Sequence, residues 1–332
     1  MSTSLAVEVE NLSHSYAGKR GAPARVALDN LSLTVARGEV FAVLGPNGSG
    51  KSTLFNLLCG SMAQSGAGSI RMLGLDPLAQ SSALRRQIGV VFQSPALDKK
   101  LTCRENLELH GMLFGLGGAA LRKQSGQWLE RLGLGDRAGD LAESLSGGMR
   151  RRLELAKELL PKPELLLMDE PATGLDPSAI RNYWAILLEL RREMGLTIVL
   201  STHHMGEADY CDRLAILSAG KCAGTGTPAA LKKQIGGQMI AIEPAAGLEP
   251  AQLEGMLASA LGITPAMAGT RVQFETVDPA GDIARLTALL PGKFRQISVK
   301  EPGLDDVFMR LTGKDLGDEE SADLKKPAKK SH

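Results

Sequence analysis

The sequence predicts an α/β fold built on a parallel β-sheet, followed by a smaller α+β domain. Three observations carry that expectation. The apolar run Val40-Phe41-Ala42-Val43-Leu44 leads into Gly45-Pro46-Asn47-Gly48-Ser49-Gly50-Lys51-Ser52-Thr53, and a helix-prone run, Leu54 to Leu58, follows. Two further apolar runs, Leu165–Met168 and Thr197–Leu200, are separated by helical spacing over Ser178–Met194. Unbroken apolar strands joined through a helix suit a parallel sheet covered on both faces. After Gly236-Gly237 the text changes to short alternating patches between two helical stretches, an α+β pattern.

Taken in order, Leu5–Val9, Leu31–Val35 and Val40–Leu44 read as strands before the glycine-rich loop, and Ser69–Met72 and Ile88–Phe92 as strands after it. From about Leu101 to Leu134 the spacing of Leu and Glu is helical and β-branched residues are few. Arg213–Ser218, followed by Ala219-Gly220-Lys221, reads as a late core strand and a turn. In the second domain the strand patches are Met239–Ile242, Arg271–Phe274 and Ile297–Val299, and the helices are Glu249–Leu261 and Pro279–Leu290. Asp278 is placed to cap the latter, with Pro279 at its first position. The tail Lys314–His332 is charged and almost free of apolar residues, so it is expected to be disordered.

Composition excludes several functions. The 332 residues carry a formal net charge of only +1, which gives no global electrostatic case for nucleic acid binding. Aromatics, at 4%, are too scarce for a base-stacking surface. No apolar stretch approaches the length of a bilayer span, and Met1 to Asn11 lacks the pattern of a signal peptide, so the product is expected to stay in the cytosol. Cys59, Cys103, Cys211 and Cys222 are scattered without a Cys-x-x-Cys pair and read as reduced, mostly buried thiols.

The loop at 45–53 has a direct chemical reading. Glycines at 45, 48 and 50 allow the backbone to curl until successive N–H groups face phosphate oxygens, and a helix starting near Lys51 adds its positive end. Lys51 supplies charge for the β- and γ-phosphates, and the Ser52 hydroxyl is placed to ligate Mg²⁺. The strand Leu165–Met168 delivers Asp169 and Glu170 at its carboxyl end, where open α/β sheets bind ligands. Asp169 is expected to hold Mg²⁺ and Glu170 to polarise the attacking water. His203 follows another buried run and is aimed at the γ-phosphate, although its neighbour His204 is chemically equivalent at this point. Gln93 ends a third strand, and its amide can both ligate Mg²⁺ and bond water.

The sharpest marker is Leu145-Ser146-Gly147-Gly148-Met149, shortly before Asp169-Glu170. Together with Gly45–Thr53, Gln93, Gly174-Leu175-Asp176 and Thr202-His203, it resembles the ATP-binding subunit of ABC transporters over about residues 5–235. The resemblance implies a P-loop NTPase fold of the ABC type, with a parallel sheet core, an antiparallel β subdomain and a helical signature subdomain. Its boundaries are 1–236 for the ATP-binding domain, with the helical part at about 94–160; 237–312 for the accessory α+β domain; and 313–332 for the tail. By the same resemblance Tyr16 stacks on adenine, Gly45, Pro46, Asn47, Gly48, Ser49, Gly50, Lys51, Ser52 and Thr53 form the Walker A loop, and Gln93 is the Q-loop glutamine. Ser146, Gly147 and Gly148 match the signature, Asp169 and Glu170 the Walker B acid and catalytic base, Asp176 the D-loop aspartate and His203 the switch histidine. Met149 departs from the common Gln of the signature.

ATP and Mg²⁺ are the implied ligands. Ser146 can cap a helix starting near Gly148, a second anion site that in the family meets the Walker A loop of a second ABC ATPase subunit. A separate membrane permease is the other implied partner, with Leu101–Leu116 as the place to dock it, on the cytoplasmic face of the inner membrane. The segment Glu301–Phe308 resembles the closing motif of ATPases that export drugs, antibiotics, sodium or polysaccharides. Arg150, Arg151 and Arg152 read mostly as a solvated helix face. The alternative reading is an ABC-type ATPase acting on the ribosome or DNA; the single signature and the lack of sustained heptads weigh against it.

Overall fold

The computed structural model describes residues 4–18 and 23–313; the expected tail at 314–332 lies outside them. The described residues divide into two compact units, one of those up to 44 together with 48–222, the other of 223–313 with 45–47.

The first unit opens with two long antiparallel strands, β1 (Leu5–Tyr16) and β2 (Arg25–Ala36). Both run well past the apolar cores that sequence pattern marks. Polar residues interrupt the alternation where the register shifts, and Asn11 and Asn30 turn to positive φ there (49° and 53°). Each asparagine donates its backbone N–H to a serine across the pair, Asn11 to Ser32 Oγ at 2.8 Å and Asn30 to Ser13 Oγ at 3.0 Å, so the bulges leave those groups satisfied. Next come β3 (Val40–Leu44), α1 (Lys51–Leu58), β4 (Ser69–Met72), α2 (Ser81–Arg85) and β5 (Ile88–Val91). Strand β4 pairs with β1, completing a three-stranded antiparallel sheet in the order β2-β1-β4.

The helical stretch at 101–134 is two helices, α3 (Cys103–Leu113) and α4 (Gly118–Arg131). Gly115, at φ 79°, lets the chain reverse between them. Thr102 and Glu105 cap α3 reciprocally. The remaining elements are α5 (Gly147–Leu159), β6 (Leu165–Asp169), α6 (Pro177–Met194), β7 (Thr197–Thr202), α7 (Met205–Ala208) and β8 (Arg213–Ser218).

The strands β5, β6, β7, β3 and β8 lie side by side in that order and all run parallel. Their carboxyl ends therefore meet at one edge. That edge receives the loop after Leu44, Asp169, Thr202 and the segment leading to Gln93. Residues Val40–Leu44 and Thr197–Thr202 are buried throughout, as a sheet covered on both faces requires. Phe41 and Val43 pack with Leu54, Leu57 and Leu58 of α1, and with Leu12, Leu28 and Leu31 of the antiparallel sheet, in one continuous core. Each fully buried leucine of this kind contributes about 1.5–3 kcal/mol relative to exposure, so α1 is held by packing more than by its own short length.

The strand β9 (Lys221–Gly226) leads into the second unit, which holds α8 (Pro228–Lys232), β10 (Gln238–Pro244), α9 (Pro250–Leu261), β11 (Ala266–Ala268), β12 (Arg271–Thr276), α10 (Pro279–Leu289), β13 (Phe294–Lys300) and α11 (Leu304–Thr312). The order β11-β12-β10-β13, all antiparallel, with a helix after the first and third strands, is a split β-α-β-β-α-β arrangement. One sheet face presents Ile240, Ile242, Val272 and Phe274 to Leu253, Leu257 and Leu286 of the two long helices. The alternate residues Met239, Ala241 and Gln273 are buried on the opposite face, where Gln273 meets Asp306 and Met309 of α11. The segment resembling an exporter closing motif is therefore the start of α11, with Leu304, Val307 and Phe308 buried. Of the four cysteines, Cys103 and Cys211 are buried and Cys59 and Cys222 half-buried.

Candidate nucleotide site

The loop after β3 curls at Gly50, which takes φ 111° as the N-cap of α1. A Cβ there would stand 2.6 Å from the Ala27 carbonyl oxygen, so the turn is closed to any side chain. The Ser49 carbonyl accepts from Gly220 N at 2.9 Å and the Gly50 carbonyl from Leu54 N at 2.9 Å. Gly45, Pro46 and Asn47 are grouped with the second unit and join Leu44 to Gly48 along the chain. Ser52 is exposed in the first turn of α1, while Thr53 behind it shares a 3.1 Å hydrogen bond with the Tyr16 hydroxyl. Tyr16, exposed at the end of β1, also meets the His14 ring edge-on.

The carboxylate of Glu170 is the hub of the strand ends. Lys51 Nζ lies 3.5 Å and His203 Nδ1 3.2 Å from its Oε1. Its Oε2 accepts from Gln93 Nε2 at 3.1 Å and from Thr173 Oγ1 at 3.4 Å. The His203 hydrogen bond leads in holding this carboxyl down to about 2, and Lys51 adds to it, against the opposing pull of burial. Burial lowers the pKa of Lys51, and Glu170 and Asp169 oppose that. Glu170 sits at φ 46°, an unfavourable backbone for a non-glycine residue. Two bonds hold its N–H there, to the Ser201 carbonyl at 3.1 Å and Ser201 Oγ at 3.0 Å. Ser201 in turn donates to Asp169 Oδ1. Burial raises the Asp169 pKa, and this bond opposes the rise. Of the two adjacent histidines, His203 faces Glu170, whereas His204 lies tilted against the His203 ring, with centroids 4.0 Å apart and the planes at 42°.

The structure thus brings Lys51, Gln93, Asp169, Glu170 and His203 to one end of the parallel sheet, and joins Tyr16 to the loop through Thr53. Ser146, Gly147 and Gly148 form a separate cluster. Ser146 caps α5 through a 3.3 Å bond from Met149 N, one residue earlier than expected, so both glycines lie within the helix's first turn. They line a cavity of about 530 Å³ with Gly174, Leu175 and Asp176. Asp176 is the N-cap of α6, accepting from Ser178 N and Ala179 N, each at 2.9 Å.

The expectation of a solvated arginine face after the signature is corrected. Arg151 is only 2% exposed and pairs with the fully buried Glu154 at 2.8 Å. Arg152 donates to the Leu132 carbonyl at 2.9 Å and Arg150 to the Leu145 carbonyl. Sequence reasoning also passed over Ser201 and Thr173, which hold the two acids. Ser201 lies directly opposite Asp169 in register, and a hydroxyl at the end of an otherwise apolar run was the available signal.

The residues fit a nucleotide and its metal. Ser49 Oγ is buried and finds no hydrogen-bond partner among the described residues, and a buried ammonium stands at a helix N-terminus, so the loop suits an anion. Ser52, Asp169 and the Gln93 amide offer the hard oxygen donors that Mg²⁺ prefers. Among the described residues no group of three or more His, Cys, Asp or Glu could hold an ion alone.

Fold and site define a P-loop ATPase. The family model described as ABC transporter matches residues 28–173. The daunorubicin resistance ATP-binding protein DrrA3 of Streptomyces coeruleorubidus is 36% identical over 328 residues, covering 96% of this chain and 99% of that one. The Nod factor export ATP-binding protein I of Rhizobium johnstonii is 38% identical over 319 residues, covering 94% and 96%. Among solved structures, the ATP-binding cassette MJ0796 bound to ADP and Pi matches with a TM-score of 0.60 and 29% identity, covering 67% of this chain and 98% of that one. The chain belongs to the ABC transporter family, as an ATP-binding subunit that hydrolyses ATP to power transport. Among the described residues no helix is long and apolar enough to cross a membrane. Two of the solved structures that the chain resembles are named as transporter parts, MJ0796 as a bacterial ABC transporter cassette and cbiO1 of Clostridium perfringens as part of the transporter complex cbiONQ.

Proposed function

We propose that this chain is the motor of an export system, pairing head-to-tail with a second copy or a paralogue and driving a separate permease from the cytoplasmic face of the inner membrane. The observation that carries the proposal is the convergence of Lys51, His203 and Gln93 on one carboxylate, Glu170, beside a loop shaped for phosphates. Relatives of nearly equal length named for drug resistance and Nod factor export support the export direction.

In this reading the Gly45–Thr53 loop and Lys51 cradle the β- and γ-phosphates, and Tyr16 meets the adenine. Mg²⁺, held by Ser52, Asp169 and Gln93, would neutralise charge on the phosphates. Glu170 orients water by accepting a hydrogen bond from it and takes up its proton as the water oxygen attacks the γ-phosphorus and the bond to the bridging oxygen of ADP breaks, giving ADP and inorganic phosphate. His203 keeps Glu170 ionised and reaches the terminal phosphate. A carboxylate whose pKa is about 2 is a weak base, so phosphates that draw Lys51 away would restore part of its strength, the His203 contribution staying in place. Ser146, Gly147 and Gly148 bind the γ-phosphate held by the partner, so ATP closes the pair and its hydrolysis opens it.

The test is steady-state hydrolysis together with solution mass. Wild-type protein should turn over Mg·ATP. Glu170→Gln should bind it, lose at least about 100-fold in kcat, and accumulate as a dimer by light scattering. A Glu170→Gln protein that stays monomeric at saturating Mg·ATP sinks the proposal.

A further inference from the structure

The inward face of α5 is charged. Arg151, Glu154, Lys157 and Glu158 are each less than a tenth exposed, and all four reach the backbone of one short segment. Arg151 donates to the Gln93 carbonyl at 2.8 Å and to the Phe92 carbonyl. Glu154 accepts from Ala96 N at 3.0 Å, Lys157 donates to the Ala96 carbonyl at 2.6 Å, and Glu158 accepts from Val90 N at 3.1 Å. Arg151 also reaches the Glu170 carbonyl at 3.4 Å. Residues 92–98 have no helix or strand of their own, so α5 supplies partners that a ladder would otherwise give. An apolar face would leave these carbonyl and N–H groups buried without partners, a desolvation cost that the charged side chains remove. Directional bonds add something an apolar face lacks, a fixed register between α5 and the backbone of Gln93.

We infer that Arg151 is a positioning residue of the ATPase, joining the helix that begins at Ser146-Gly147-Gly148 to Gln93 and Glu170. The planar guanidinium spends one edge on two successive carbonyls, those of Phe92 and Gln93, and turns a further N–H to the carbonyl of Glu170. Glu154 balances its charge. A shift of the α5 N-terminus is thereby passed within about one and a half turns to the residue that bonds the Glu170 carboxylate. The inference rests on the roles proposed above for Gln93 and Glu170.

The decisive variant is R151M/E154Q. It keeps the buried volume, preserves an acceptor for Ala96 N and leaves no unpaired charge. In nucleotide-free protein, amide hydrogen exchange over residues 92–98 should rise about tenfold while β6 is unchanged. With Mg·ATP, kcat should fall about tenfold or more with KM within about threefold, and adding Gln93→Ala should cause no further loss. Arg151→Lys should recover part of kcat, because an ammonium can still meet one carbonyl; should the double variant fail to fold, it carries the same readouts. Unchanged exchange over 92–98, wild-type kcat, or a loss that multiplies with that of Gln93→Ala would overturn the assignment. Absence of hydrolysis by the wild-type protein would instead sink the proposed function, and the exchange measurement would still decide whether Arg151 holds the segment.

Discussion

Lys51 Nζ stands 3.5 Å from Glu170 Oε1, and both side chains are less than a tenth exposed. In the proposed reading the cation for phosphate and the base for water are thus paired with each other, and bound phosphates would compete with that carboxylate for the ammonium. Removing the competitor has a measurable consequence. Glu170→Gln should bind ATP about 3- to 10-fold more tightly than wild type, roughly 1 kcal/mol. Calorimetric titration without divalent cation, where neither protein turns over, makes the comparison. Equal or weaker binding would mean that the pair offers no competition.

Lys51→Met removes the charge proposed to meet the β- and γ-phosphates and takes the Lys51 ammonium away from Glu170. ATP affinity should drop at least about 100-fold, near 3 kcal/mol, as expected for a charge-assisted contact in a buried site. A fluorescent ATP analogue titrated against both proteins reads this directly.

His110 gives a pH dependence away from the nucleotide. Burial, with Lys157 adding to it, holds the ring down to about 4, against an ordinary value of 6.5. Between those values the unfolded chain takes up a proton that the folded one does not. Stability is therefore complete above pH 6.5 and declines as pH falls toward 4, by on the order of 2 kcal/mol. Denaturant unfolding at pH 7.5 and pH 5 should show the loss, and His110→Leu should remove most of that difference. A slope that survives the substitution would assign it to other groups.

Ser146 separates capping from pairing. Ser146→Ala removes the bond from Met149 N and should cost about 1 kcal/mol of stability. Ser146→Arg should leave ATP binding by the monomer unchanged yet abolish the ATP-dependent dimer of the Glu170→Gln protein. Light scattering decides between these outcomes.

In the second unit, Asp306 is buried and bonds Lys300 at 3.0 Å, Gln273 at 2.9 Å and the Gly303 N–H at 2.8 Å. Asp306→Ala would leave the Gly303 N–H without its side-chain acceptor, Lys300 with Asp305 alone and Gln273 with only Met309, and should cost about 3 kcal/mol, with Asp306→Asn milder. Chemical unfolding followed by a probe in α11 would measure both.

The strand, loop and helix around Gly45–Thr53 were legible because each has a strong local signal, and so were the acids ending β6. The inward charges of α5 were not. Arg151, Glu154 and Glu158 recur at helical spacing, which in isolation describes a solvated stripe as well as a buried one; only the segment packed against them tells the two apart. The three-residue β11 and the nine-residue α11 were missed because pieces so short take their form from the sheet they join. Gly115 breaks what reads as one helical run, a single glycine being a weak signal until its φ is known.

The close approach of Gly50 to the Ala27 carbonyl has mechanical meaning. With only a hydrogen atom's width between them, the antiparallel sheet is the wall against which the phosphate turn is braced. Pressure on that sheet would reach the start of α1 with little slack to absorb it, so an adenine seated near Tyr16 and a phosphate seated in the loop would feel each other through solid protein as well as through the nucleotide.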